Sequence, residues 1–118
     1  MSAPSKMCVY IAGPMSGLPE FNVPAFDKAA AEWRERGYEA LNPADNFRGE
    51  VGIAYERYIR AGLEQVLRAQ AIALLPGWET SKGARVELHV AQMLGLLVLD
   101  AWTSLEIPTT VLVRQEGK

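Results

Sequence analysis

At 118 residues, with 49% hydrophobic and 22% charged residues, the chain is long enough for one domain with a real core and excludes a disordered or fibrous protein. A net charge of -2 and a pI of about 5.4 argue against a duplex-binding surface, which takes clustered Lys and Arg, but leave room for a single nucleotide held by backbone N–H groups. Cys8 is the one cysteine, so no intrachain disulfide forms; with no charged-then-apolar leader and no apolar run near the roughly 18 residues of a membrane span, the sequence reads as cytoplasmic.

Residues 1–6 are small, polar and Pro-containing, and are expected as a flexible tail that leaves 7–118 as a single domain. Residues 7–12 form a short apolar run ended by Gly13-Pro14, the pattern of a strand buried on both faces. Gly17, Pro19 and Pro24 punctuate a loop over the end of that strand, with Asn22 as the cap of the next segment and Pro24 in its first turn. Phe26, Ala29, Ala30 and Trp33 recur at helical spacing, which predicts a helix over 25–36 stopped by Gly37. Residues 38–41 are a brief strand candidate closed by Asn42-Pro43, because a proline pushes its predecessor out of helical geometry. Residues 44–52, with Asp45 and Asn46, read as a loop at the same sheet edge as Gly13.

Tyr55, Tyr58, Ile59, Leu63, Val66 and Leu67 lie on a helical stripe, predicting a second helix over 53–67. Residues 69–75 are another continuous apolar run, ended by Pro76-Gly77. Ser81 is placed to cap a third helix running to about Leu94, before Gly95. Residues 96–99 and 110–113 are the last strand candidates. Strands alternating with helices imply parallel pairing, so the expected fold is an α/β, three-layer, doubly wound sheet of the flavodoxin or Rossmann kind, with about five mostly parallel strands and the first one central. Ligands of such sheets bind beyond the carboxyl ends of the strands where the strand order reverses. That rim would gather Gly13-Pro14, Asn42 to Asp45 and Pro76 to Trp78 around one crevice.

No Gly-x-Gly-x-x-Gly follows the first strand, no Gly-Lys-Ser/Thr phosphate loop occurs, and the single His89 offers no metal cluster. A dehydrogenase, a P-loop NTPase and a zinc hydrolase are therefore disfavoured, and no cofactor or metal is implied. The best single candidate for a chemically active group is Glu87, which the sequence places on the first turn of the third helix. There the unpaired N–H groups and partial positive charge of the helix N-terminus would hold its carboxylate ionised.

Together, Tyr10-Ile11-Ala12-Gly13-Pro14-Met15-Ser16-Gly17, Asn42-Pro43, the apolar strand ending at Pro76-Gly77-Trp78 and Ser81-x-Gly83-Ala84-x-x-Glu87 resemble the nucleoside 2-deoxyribosyltransferase superfamily. The likeness runs from Met7 to about Leu99, and is greatest to a small, mostly uncharacterised phage and bacterial branch. It implies that Glu87 attacks the anomeric carbon of a deoxyribose and that Tyr10 orients it. It also implies that Ser81 holds the 5′ end of the sugar, where enzymes acting on free nucleosides tend to carry aspartate and the 2′-deoxynucleoside 5′-monophosphate N-hydrolases carry serine. Serine donates to a phosphate without repelling it, which favours a 5′-phosphorylated ligand, with Ser16, Ser81 and the backbone at Gly13, Pro14 and Gly83 as its surroundings.

Trp78 is a candidate for stacking on a base, and Asp45 for reading its edge. The superfamily usually carries an aspartate near the place of Gly62 and another acidic residue at that of Gln70; here Glu64 or Asp45 would have to protonate the departing base. The expected activity is cleavage or base exchange at the N-glycosidic bond of a 2′-deoxynucleoside or its 5′-monophosphate. The alternative is a binder of a nucleotide or nucleotide signal that uses the same pocket without turnover. A homodimer or larger homo-oligomer is expected, with Trp102, Leu105, Ile107 and residues 110–113 supplying an apolar interface.

Overall fold

The structure, a computed structural model, describes residues 6–48 and 50–108. Strand β1 (Cys8–Ala12) is followed by helix α1 (Val23–Glu35), strand β2 (Glu39–Leu41), helix α2 (Tyr55–Arg68), strand β3 (Ala71–Leu74), helix α3 (Lys82–Met93) and strand β4 (Leu97–Asp100). The described strands form one four-stranded sheet in the order β2-β1-β3-β4, every neighbouring pair parallel. The strand order reverses between β1 and β3, as expected of a doubly wound sheet with its first strand central. The candidate strand at 110–113 lies outside the described residues.

Every residue of β1 is buried, as a central strand covered by helices on both faces requires. Val9 and Ile11 turn towards α1, where Phe26, Ala29, Ala30 and Trp33 close one core. Cys8, Tyr10 and Ala12 turn the other way, onto Val66, Ala84, Leu88 and Ala91 of α2 and α3. Trp33 is fully buried and its indole Nε1 donates to the Ala101 carbonyl at 2.9 Å, which satisfies the one polar atom it takes out of water.

The carboxyl ends of β1 and β3 approach each other closely. A Cβ at Gly13 would stand 2.7 Å from Leu75 Cβ, and Gly77, with φ of +90°, lies against Pro14, so the two turns leave no room for larger backbones. Asn22 takes the N-cap position of α1, as the sequence suggested, but its side chain makes no capping hydrogen bond. It stands in the left-handed region with φ of 61°, and its Nδ2 instead donates to the Pro14 carbonyl at 3.0 Å, tying the β1 turn to the start of α1. Glu20 and Phe21 share that left-handed geometry, with φ of 53° and 54°.

The segment after β2 is not a plain loop: Pro43–Asp45 form a 3-10 turn whose N-cap is Asn42, the side chain accepting from Ala44 N. On α2 the predicted stripe is shifted. Gly62 and Val66 are buried, whereas Tyr55, Tyr58 and Leu67 are exposed, because the helix meets β1 and α3 along the line of Ile59, Gly62 and Val66. Beyond β4 the chain turns through residues 101–103 and comes back antiparallel. The Asp100 N–H donates to Leu105 O and the Ile107 N–H to Val98 O, so the free side of β4 is taken by its own continuation.

Candidate active site

Glu87 lies on the buried line of α3, with Ala84 and Leu88 as its neighbours on that face, and is only 8% exposed. Tyr10, fully buried at the middle of β1, donates its hydroxyl to Glu87 Oε2 at 2.7 Å. The two residues the sequence singled out from opposite ends of the chain thus meet beneath the α2–α3 pair. Glu87 is the sixth residue of α3 and so sits on its second turn, not the first. The partial charge of a helix terminus fades within its first turn, and burial takes over. It pushes the Glu87 carboxyl up from 4.5 to about 7, while the Tyr10 hydrogen bond pulls in the opposite direction and only partly offsets it. The same burial, with the Glu87 charge and hydrogen bond, raises Tyr10 well above an ordinary phenol.

Ser81 caps α3 as expected, its Oγ accepting from Ala84 N at 3.1 Å. Gly83, in the first turn, faces α2: a Cβ there would meet Tyr55 Oη at 3.5 Å and Ile59 Cδ1 at 3.8 Å. Lys82 stands over the Tyr55 ring, 5.7 Å from its centroid. Gly13 and Pro14 form the β1 turn on the rim beside Gly77. Trp78 opens a 3-10 turn after β3 and is half-buried against the α2–α3 core, so part of its ring is committed to packing. Ser16 lies exposed in the turn after β1.

Asp45 is turned elsewhere. It is exposed and paired with Arg48, which also holds Asp27 at 3.0 Å, and Asp27 in turn accepts from Asn42 Nδ2 at 2.8 Å. Glu64 is exposed on α2. Gln70 precedes β3 at the amino-terminal end of the sheet, where its Oε1 accepts from Cys8 N at 2.7 Å; it therefore lies away from the rim that α3 starts from, and an acid there would not reach a ligand beside Glu87. Gly62 was the residue sequence reasoning undervalued. It faces Glu87 directly: a Cβ at this position would overlap Glu87 Oε2 and stand 2.7 Å from Tyr10 Oη. The available signal was a glycine between Ile59 and Val66 on the buried line of a helix, a place where glycine usually marks a close approach.

Among the described residues no group of three or more His, Cys, Asp or Glu could hold a metal ion, and no helix is long and apolar enough to cross a membrane.

Solved structures that share this fold include two 2-deoxyribosyltransferases. One is a 2-deoxyribosyltransferase from the psychrotolerant bacterium Bacillus psychrosaccharolyticus, with a TM-score of 0.62 at 22% identity over 78% of this chain and 69% of that one. The other is a 2-deoxyribosyltransferase from Leishmania mexicana, with a TM-score of 0.60 at 23% identity over 80% of this chain and 63% of that one, so this chain spans less than two thirds of its length. The resemblance drawn from the sequence motifs therefore holds in the fold. No curated protein matches the chain. The family described as Domain of unknown function (DUF4406) matches residues 7–100, which takes in the four described strands, helices α1 to α3 and the Tyr10–Glu87 pair, and the chain belongs to that family.

Proposed function

We propose that this protein cleaves, or exchanges the base at, the N-glycosidic bond of a 2′-deoxynucleoside or its 5′-monophosphate, with Glu87 as nucleophile. The observation that carries this reading is a buried carboxylate held by the Tyr10 hydroxyl at 2.7 Å, within a fold shared with two 2-deoxyribosyltransferases. In the first step a Glu87 oxygen bonds to C1′ as the C1′–N bond breaks and its electron pair leaves on the base, which takes up a proton from solvent. In the second, water or an incoming base attacks C1′, gives up a proton to solvent and frees the carboxylate. Positive charge builds on the sugar in both, and an ionised carboxylate beneath the ring stabilises it and then captures it.

Tyr10 orients the nucleophile. It is a poor donor of a proton to the base, because burial and the Glu87 charge weaken its acidity. The Ser81 oxygen accepts from Ala84 N, which leaves the hydroxyl proton to donate to a 5′-phosphate, helped by Ser16 and the backbone at Gly13 and Gly83. The exposed part of Trp78 offers a face to the base, with Pro14 at the mouth. Neither metal nor cofactor enters this chemistry.

The test is incubation with a panel of deoxynucleosides and their 5′-monophosphates, with and without an acceptor base, followed by chromatography. Release or exchange of base by the wild type and its loss in Glu87→Gln are expected. If the wild type releases none, the enzymatic reading fails. A second reading, a nucleotide binder without turnover, is favoured by position 62, where a residue facing Glu87 carries no side chain able to protonate a departing base. Calorimetry showing tight nucleotide binding with no base release would select it. The same reading takes the protein as a cytoplasmic homo-oligomer, and a light-scattering mass of one chain would contradict the assembly.

A further inference from the structure

Gly62 sits well inside α2, on the line that faces β1 and α3. Glycine weakens a helix interior relative to alanine, so its presence there calls for a local reason. The two atoms that a Cβ would strike are Glu87 Oε2 and Tyr10 Oη, the acceptor and donor of the one hydrogen bond between those residues. Gly83 makes the contrast. A Cβ there would find only ordinary contacts with Tyr55 and Ile59.

We propose that Gly62 is a positioning residue for Glu87: by presenting no side chain to the gap between α2 and α3, it keeps open the space in which the Tyr10 hydroxyl and the Glu87 carboxylate meet. Tyr10 is locked in the core by complete burial. Glu87 has three side-chain torsions, so it is the carboxylate that yields when position 62 grows. It then rotates off Tyr10 and loses both its orientation and the donor that favours its ionised form. An aspartate at this position is therefore incompatible with the Tyr10–Glu87 arrangement of this chain. The glycine and the hydrogen bond go together.

The catalytic consequence rests on the glycosidase reading, but the geometric one does not, and the experiment separates them. In Gly62→Ala, the titration midpoint of the Glu87 side-chain carboxyl, followed by carbon NMR on the folded protein, is expected to move upward. Base release is expected to fall by about 100-fold, the scale of a displacement of about 1 Å of a reacting group, mainly in kcat. A folded Gly62→Ala with an unmoved Glu87 midpoint overturns the proposal. A wild type that releases no base refutes the glycosidase reading alone, and the midpoint then decides for Gly62. If Gly62→Ala does not fold, the same change is made in a Tyr10→Phe, Glu87→Ala background, where both struck atoms are gone. There it is expected to fold and to raise the melting temperature, as alanine does in an unobstructed helix. Unfolding in that background as well would place the obstruction elsewhere and overturn the proposal.

Discussion

Replacing Glu87 by Gln removes one titrating group from the core while keeping its shape. An acid whose pKa is higher in the folded state than in the unfolded chain favours folding when protonated. That contribution is complete below pH 4.5 and is lost progressively as the pH rises to about 7, the folded value. Each tenfold change in acid strength is worth about 1.4 kcal/mol, so holding the carboxyl at about 7 instead of 4.5 corresponds to about 3 kcal/mol. Glutamine is neutral throughout and escapes the penalty. Urea denaturation of both proteins between pH 4.5 and pH 8.5 is the assay. The stability of Glu87→Gln minus that of the wild type is expected to rise by about 3 kcal/mol across the window, with most of the change between pH 5 and pH 7. Parallel curves would refute the argument, since they would mean that the carboxylate is solvated in the folded protein.

Tyr10→Phe withdraws the donor that favours ionised Glu87, so the carboxyl midpoint is expected to rise above about 7; an unchanged midpoint by NMR would show that the hydroxyl is not bonded to it. The proposed nucleophile works only when ionised, so base release by the wild type is expected to increase as the pH passes through about 7, and a rate that is flat from pH 5.5 to pH 8.5 would contradict that role. Gly13→Ala pushes a Cβ to 2.7 Å from Leu75 Cβ, an atom next to backbone that cannot swing aside, and is expected to cost about 1–3 kcal/mol in thermal or urea unfolding. Asn42→Ala removes both the acceptor for Ala44 N and the donor to Asp27 from a residue 4% exposed, with a loss of about 1–3 kcal/mol expected; a loss below about 0.5 kcal/mol would mean that water replaces the side chain.

The order of strands and helices was legible because each element carries its own period. The apolar run of β1 and the 26, 29, 30, 33 spacing of α1 need no knowledge of what they touch. The two partners of the central hydrogen bond were found through the motifs around them, not through periodicity. What the sequence could not convey is depth. Whether Glu87 stands on the first or second turn of α3 depends on where the helix starts, and its acidity changes direction with that choice, from dipole-stabilised to burial-raised. Gln70 entered the reading through the family resemblance, which puts an acidic residue there, yet a parallel strand has two ends and the residue sits at the one away from the rim. Gly62 looked like a missing acid when viewed along the chain. Viewed across α2 and α3, it is the gap that the Tyr10–Glu87 pair occupies.

The return of residues 105–107 along β4 bears on how copies of this chain could associate. A flavodoxin-like sheet normally exposes two margins to which a strand of another molecule can add. Here one margin is already satisfied from within, and the other, β2, offers three residues. Among the described residues, strand addition at the β2 margin is thereby confined to a very short ladder.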